Sequence, residues 1–264
     1  MSRISELPDF PWDTLAAAKA KANAHPDGIV DLSVGTPIDA TPQIAKKILA
    51  ESAEWPGYPT VWGTAQLRGA IISYLSLRWR APLLPETSVM PAIGTKELVA
   101  WLPTLLGLGK DDLVVVPEVA YPTYRVGAIL AGAQIQDCDD PAKIQGQPKL
   151  IWINSPANPT GQIWTKQQMK DWVEYARSVG AILASDECYG EFGWDSEPTS
   201  VLAEDICAGD PSGLLAMHSL SKRSNIAGYR AGFVAGDPEI VQRLVAVRKH
   251  AGMMVPGPVQ AVMT

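Results

Sequence analysis

The chain reads as an α/β fold built on a mainly parallel sheet, and two observations predict it. Short apolar runs such as Leu113-Val-Val-Val-Pro117, Leu150–Ile153 and Leu214–Met217 have the character of strands buried on both faces. Between them lie stretches with helical periodicity, and the alternation continues to the last helix. A chain of 264 residues, 47% of them hydrophobic, is ample for a sizeable core. The net charge of −6 and the pI near 5.1 argue against nucleic acid or an anionic membrane surface as partner. No apolar run reaches the ~20 residues of a membrane span. The proline-rich amino terminus lacks the basic-then-apolar pattern of a secretory signal, so a cytoplasmic location is expected. Cys138, Cys188 and Cys207 are widely spaced and indicate neither a disulfide framework nor a zinc knuckle. His25, His218 and His250 show no metal-ligand spacing.

Taken in order, the first thirty residues combine prolines with a short Ala/Lys helix, Trp12 to Ala24, and read as an arm. A boundary near residue 35 separates this arm from the main domain. Asp31 to Pro37 predicts a brief strand ending in Gly35, where a substrate approaching the backbone and a plain turn are both open. Helices are predicted from about Pro42 to Ala53 and from Ala65 to Trp79, around the aromatic loop Gly57-Tyr-Pro-Thr-Val-Trp-Gly63. Trp62 and Trp79 read as packing residues. Gly94 and Thr95 open a helix over Lys96 to Leu106, whose free amides suit an anion; Thr95 also fits a simple cap.

After the run at Leu113–Pro117, Tyr121 sits at the strand's carboxyl end, able to stack on a planar ligand or to pack in the core. The loop Asn154-Ser-Pro-Ala-Asn-Pro-Thr-Gly161 is fixed by its prolines and glycine, so the Asn158 amide is held in one orientation. An amphipathic helix from Thr165 to about Val179 precedes the strand Ala181–Asp186, which leads on to Tyr189. A carboxylate as buried as that position implies needs a cationic or hydrogen-bonding partner.

The stretch Ser219-Leu-Ser-Lys-Arg-Ser-Asn-Ile-Ala-Gly-Tyr-Arg230 lies between two apolar runs. It therefore falls at the strand ends, where open α/β sheets bind ligands. Lys222 is the first candidate for chemistry, with Ser219, Ser221 and Arg230 as a cradle for a phosphate group. A solvated basic turn is the competing reading of these residues alone. A last helix is predicted from Pro238 to Ala251.

Together, Gly94-Thr95, Tyr121, Asn158, Asp186, Tyr189, Ser219, Lys222 and Arg230 occur in an order that resembles the class I/II aminotransferases, fold-type I enzymes that use pyridoxal 5′-phosphate. The Asn-Pro-Thr-Gly, Asp-x-x-Tyr and Ser-x-Ser-Lys…Arg motifs carry the resemblance, which spans nearly the whole chain. It implies the large domain of a three-layer fold-type I transferase over residues 35–264. It also implies that Lys222 bonds the cofactor and moves the substrate proton, that Asp186 pairs with the pyridine nitrogen, and that Asn158 and Tyr189 donate to the phenolic oxygen. Tyr121 is expected to stack on the ring. Gly94, Thr95, Ser219, Ser221 and Arg230 are expected to hold the phosphate. The resemblance places Tyr58 against the phosphate of a neighbouring subunit, making the site one shared across a homodimer. It sets the Gly35 backbone, with Asn158, beside the substrate carboxylate.

Family members continue past the point where this sequence stops, so a carboxyl-terminal small domain and the arginine it supplies to the substrate are expected to be missing. The segments Leu7–Asp13, Leu32–Pro37 and Pro59–Gly63 are similar to actinobacterial N-succinyldiaminopimelate aminotransferases of lysine biosynthesis. That similarity implies glutamate/2-oxoglutarate and N-succinyl-2-amino-6-oxopimelate as substrates. A carbon–sulfur β-lyase and a cofactor-binding module inactive through truncation remain the alternatives.

Overall fold

The computed structural model describes residues 7–35 and 37–264. In chain order the elements begin with α1 (Ala16–Asn23), α2 (Gln43–Glu51), α3 (Ala65–Trp79), β1 (Val89–Ile93) and α4 (Thr95–Leu105). Next come β2 (Leu113–Val116), α5 (Thr123–Ala131), β3 (Gln134–Asp137), β4 (Pro148–Asn154), α6 (Lys166–Val179) and β5 (Ile182–Asp186). The chain ends with α7 (Glu204–Cys207), β6 (Leu214–Ser219), α8 (Leu220–Arg223), β7 (Ala231–Gly236), α9 (Pro238–Ala251) and α10 (Gly257–Met263).

The strands form one seven-stranded sheet in the order β1-β7-β6-β5-β4-β2-β3. β7 runs antiparallel to both of its neighbours, and the other pairings are parallel. Alternation along the strands divides the core in two. Ile151 and Ile153 face α3 and α6, whereas Leu150 and Trp152 face α4, α5 and α9. Three layers result, and the predicted α/β class holds. Each fully buried aliphatic side chain in these layers contributes about 1.5–3 kcal/mol, which is why strand interiors tolerate so few polar residues.

Local chemistry explains the element ends. Thr165 caps α6 by accepting from the Gln168 N–H while the Gln168 side chain answers the Thr165 N–H, a capping box that stabilises by about 1 kcal/mol. Gly127 lets α5 lie against α4, since a Cβ there would sit 2.9 Å from the Val99 carbonyl oxygen.

Several expectations are corrected. Residues 31–35 and 37 form no strand; instead the Ser33 N–H and hydroxyl both donate to Asp31 Oδ1, at 2.9 and 2.6 Å. That local turn takes up groups a ladder would need, and its hydrogen bonds hold the Asp31 carboxyl down at about 2. Thr36 lies outside the described residues. β1 escaped prediction because Pro91 interrupts it, which an edge strand allows. β3, at the other edge, reads Gln-Ile-Gln-Asp and lacks the apolar signature of the interior strands.

Candidate active site

The carboxyl ends of β4, β5 and β6 and the start of α4 converge on a cleft of about 750 Å³. Gly35, Thr95, Tyr121, Asn158, Asp186, Tyr189, Ser219, Ser221, Lys222 and Arg230, all singled out from the sequence, line it. Gly94 forms its edge as the residue that caps α4, at φ 71°. Tyr58 does not line this cleft and is 94% exposed.

Asp186 is the last residue of β5 and is buried. Its Oδ2 accepts from the Tyr124 hydroxyl at 2.8 Å, and its Oδ1 accepts from the Cys188 N–H at 3.1 Å. No basic side chain among the described residues forms an ion pair with it. Burial therefore pushes its carboxyl above the usual range, with the two donors working in the other direction. A buried carboxylate of this kind suits a ligand that brings its own positive charge.

Tyr124 was not identified from the sequence. It is the second residue of α5, fully buried, with its ring stacked on Trp152 at 4.9 Å. Tyr121 meets it edge-on at 5.9 Å and forms the aromatic wall of the cleft. Tyr124→Phe keeps that packing but removes the donor to Asp186. The expected result is a folded protein with roughly tenfold weaker cofactor binding, the scale of one hydrogen bond to a charged group. Equilibrium titration checks it, and unchanged affinity would reduce Tyr124 to a packing residue.

Asn154 was also missed. Its Nδ2 donates to the Pro156 and Asp186 carbonyls, at 3.1 and 2.8 Å, while its Oδ1 accepts from the Asn158 N–H at 2.7 Å. The loop that presents Asn158 is thus tied to the strand end that presents Asp186.

Opposite the carboxylate, the α4 amino terminus, Ser219, Ser221 and Arg230 surround space suited to an anion. The missing side chain at Gly94 matters, because a Cβ there would collide with the Arg230 guanidinium. Thr95 does not cap the helix; its hydroxyl contacts Cys188 Sγ at 3.0 Å. Burial holds the Cys188 thiol well above its usual range, so it stays protonated. Arg248, fully buried on α9, grips both Glu97 oxygens at 3.0 and 3.1 Å and the Met253 carbonyl at 3.0 Å. That clamp fixes the first turn of α4. Lys222, in the short α8, brings its amine into the cleft and donates to the Gly35 carbonyl.

A buried carboxylate awaiting a cation, an anion cradle and a lysine amine in one cleft, with an aromatic wall, define a pyridoxal-phosphate site of the aminotransferase type. The chain matches the family Aminotransferase class I and II over residues 27–264 and belongs to it. It is 58% identical over 260 residues to the probable aminotransferase Rv1178 of Mycobacterium tuberculosis, covering 98% of this chain and 62% of that protein. It is 50% identical over 261 residues to the 4-dedimethylamino-4-oxo-anhydrotetracycline transaminase OxyQ of Streptomyces rimosus, covering 98% of this chain and 72% of OxyQ. Among solved structures it superimposes on substrate-bound BacF of Bacillus subtilis with a TM-score of 0.89 at 27% identity, over 100% of this chain and 70% of BacF. The chain thus spans about 62% of the length of its Mycobacterium tuberculosis relative. The family's cofactor is pyridoxal 5′-phosphate, and the residues present fit it. No helix among the described residues is long and apolar enough to cross a membrane.

Proposed function

We propose that this chain is the cofactor-binding part of an aminotransferase that moves an amino group between glutamate/2-oxoglutarate and N-succinyl-2-amino-6-oxopimelate. The observation that carries the first half of this reading is the pairing, in one cleft, of the Lys222 amine with the cation-free carboxylate of Asp186. Residues 1–34 serve as an arm and 35–264 as the cofactor-binding domain.

When bound, pyridoxal 5′-phosphate supplies an aldehyde that bonds amines and a ring that withdraws electrons. Lys222 would hold the group through its amine and, as a free amine, would serve as the base that holds and moves the substrate proton. Asp186 would pair with the ring nitrogen, and Tyr124 and the Cys188 amide keep Asp186 in place. Asn158 and Tyr189 would donate to the phenolic oxygen. Arg230, Ser219, Ser221 and the α4 amides would bind the phosphate. Tyr121 would stack on the ring. The Gly35 backbone and Asn158 receive the substrate carboxylate.

Support for an acidic substrate comes from Lys96. Of the basic side chains lining the cleft, Lys19 is paired with Asp31 at 3.0 Å, and Lys222 and Arg230 have roles already. Lys96 stands over the rings of Phe10 and Trp12, at 4.9 and 5.9 Å, without a carboxylate ion-pair partner among the described residues. We assign it to the distal carboxylate of the substrate. A cytoplasmic homodimer completes the reading, with the exposed Tyr58 reaching the phosphate of a second copy.

The test offers the cofactor-loaded protein glutamate with N-succinyl-2-amino-6-oxopimelate and measures 2-oxoglutarate. Formation of 2-oxoglutarate with this acceptor is the expected outcome; turnover with neither the pair nor glutamate alone would sink the proposal. The 50% identity to OxyQ favours one other reading, a bulky cyclic ketone as acceptor. Preference for such a ketone over the open-chain acid would select it.

A further inference from the structure

Behind the cleft lies a second polar pair that the chemistry above does not use. Successive side chains leave a strand on opposite faces. Asp186 and Ser219 face the cleft, while their chain neighbours Glu187 and His218 meet on the far face of the sheet. His218 Nε2 and Glu187 Oε2 are 3.2 Å apart, and each side chain is only 2% exposed. Neither atom makes a hydrogen bond among the described residues, so the 3.2 Å approach is a charge contact without hydrogen-bond alignment. Glu187 Oε1 accepts from the Val201 N–H at 2.7 Å. The imidazole is stacked on Phe233 at 5.0 Å, lies against Trp79 at 5.9 Å and meets the Tyr74 ring edge-on at 5.8 Å. Burying a carboxylate and an imidazole in an aromatic box is costly, and apolar side chains of similar volume would pack there as stably.

The position of the pair in the sheet supplies its use. Asp186 pairs with Met217 in the last step of the β5–β6 ladder, and the Glu187 N–H donates to the Met217 carbonyl at 2.9 Å. Beyond that point the two chains part: one turns to Cys188 and Tyr189, the other through Ser219 to Lys222. The His218–Glu187 contact ties them together at the fork. We infer that His218 and Glu187 are a positioning pair whose contact fixes the separation between Asp186 and the Lys222 turn. The inference rests on the cofactor reading of the cleft only for its consequence, because the tie itself belongs to the cofactor-free chain.

Two readouts test it on the 264-residue protein, each comparing wild type with Glu187→Leu, which fills the volume without the polar atoms, and Glu187→Gln, which restores a hydrogen-bonding group. The first is amide hydrogen exchange at Cys188 and Ser221 without cofactor. The second is pyridoxal-phosphate affinity with the absorbance maximum of the lysine-bound form. Glu187→Leu, which removes the His218 contact and also the acceptor of the Val201 N–H, is expected to raise exchange at both amides and weaken cofactor binding, each about tenfold. Its absorbance maximum should move, and Glu187→Gln should stay close to wild type in every readout.

His218→Phe, which keeps the stacking on Phe233, reports from the other partner should Glu187→Leu not fold. A variant that melts lower yet keeps the wild-type exchange, affinity and spectrum overturns the inference and leaves the pair merely structural. So does a loss in Glu187→Gln as large as in Glu187→Leu. Failure of the wild type to bind cofactor would instead overturn the proposed function, while the exchange comparison would still decide the inference.

Discussion

Lys222→Ala is expected to abolish the covalent link to the cofactor and, with it, detectable amino transfer. The Lys222 amine is the one the fold brings to the carboxyl end of β6, in the cleft that Asp186, Ser219 and Arg230 also line. Losing it removes both the anchor and the proton carrier. General acid–base catalysis alone is worth about 10²–10⁴-fold, and loss of the covalent step adds to that. The cradle of Arg230, Ser219 and the α4 terminus remains, so cofactor should still bind without the bond. Absorbance and single-turnover measurements with glutamate check the outcome, and retained transamination would overturn the role given to Lys222.

Asp186→Asn carries the second large effect, with opposite signs in the two forms of the protein. In the cofactor-free chain the Asp186 carboxyl is raised by burial, so the stability this group contributes is present below the ordinary aspartate range near 3.8. It is lost as pH rises through the raised folded value. At neutral pH the buried carboxylate therefore weakens the empty protein. Asparagine removes that burden, and the melting temperature should rise by about 2–4 °C, the effect of ~1 kcal/mol in a chain of this size. The loaded form should behave in reverse. Without a carboxylate opposite the ring nitrogen, affinity is expected to fall roughly 10- to 100-fold, as for a lost charge-assisted hydrogen bond. The half-reaction should become nearly undetectable. Thermal melts with and without cofactor test both signs together, and a stabilised empty protein that still transaminates would overturn the role of Asp186.

What could be read from the sequence follows from what strand ends can show. Asp186 and Lys222 were visible because each ends or follows a buried apolar run, and the end of such a run is a place in the fold. Tyr124 was not, because Tyr121 and Tyr124 lie three residues apart at one helix start. Only packing on Trp152 decides which hydroxyl reaches Asp186. His218 was read only for metal spacing. Strand alternation assigns it a face but not its partner Glu187, which depends on how β5 and β6 pair. The predicted strand from Asp31 to Gly35 failed for a related reason. Its apolar pattern had no neighbouring strand, and the Asp31–Ser33 turn took over the described part. The paired edges β1 and β3 were hidden by Pro91 and by polar composition, features that edge strands permit and interior strands do not.

The central claim is that Lys222 carries the cofactor in this cleft. Its most direct test is borohydride reduction of the protein incubated with pyridoxal 5′-phosphate, followed by peptide mapping of the modified lysine. Modification confined to Lys222, with near-unit stoichiometry, is the predicted result. Modification at Lys96 or Lys19 in preference, or none at all, would contradict it.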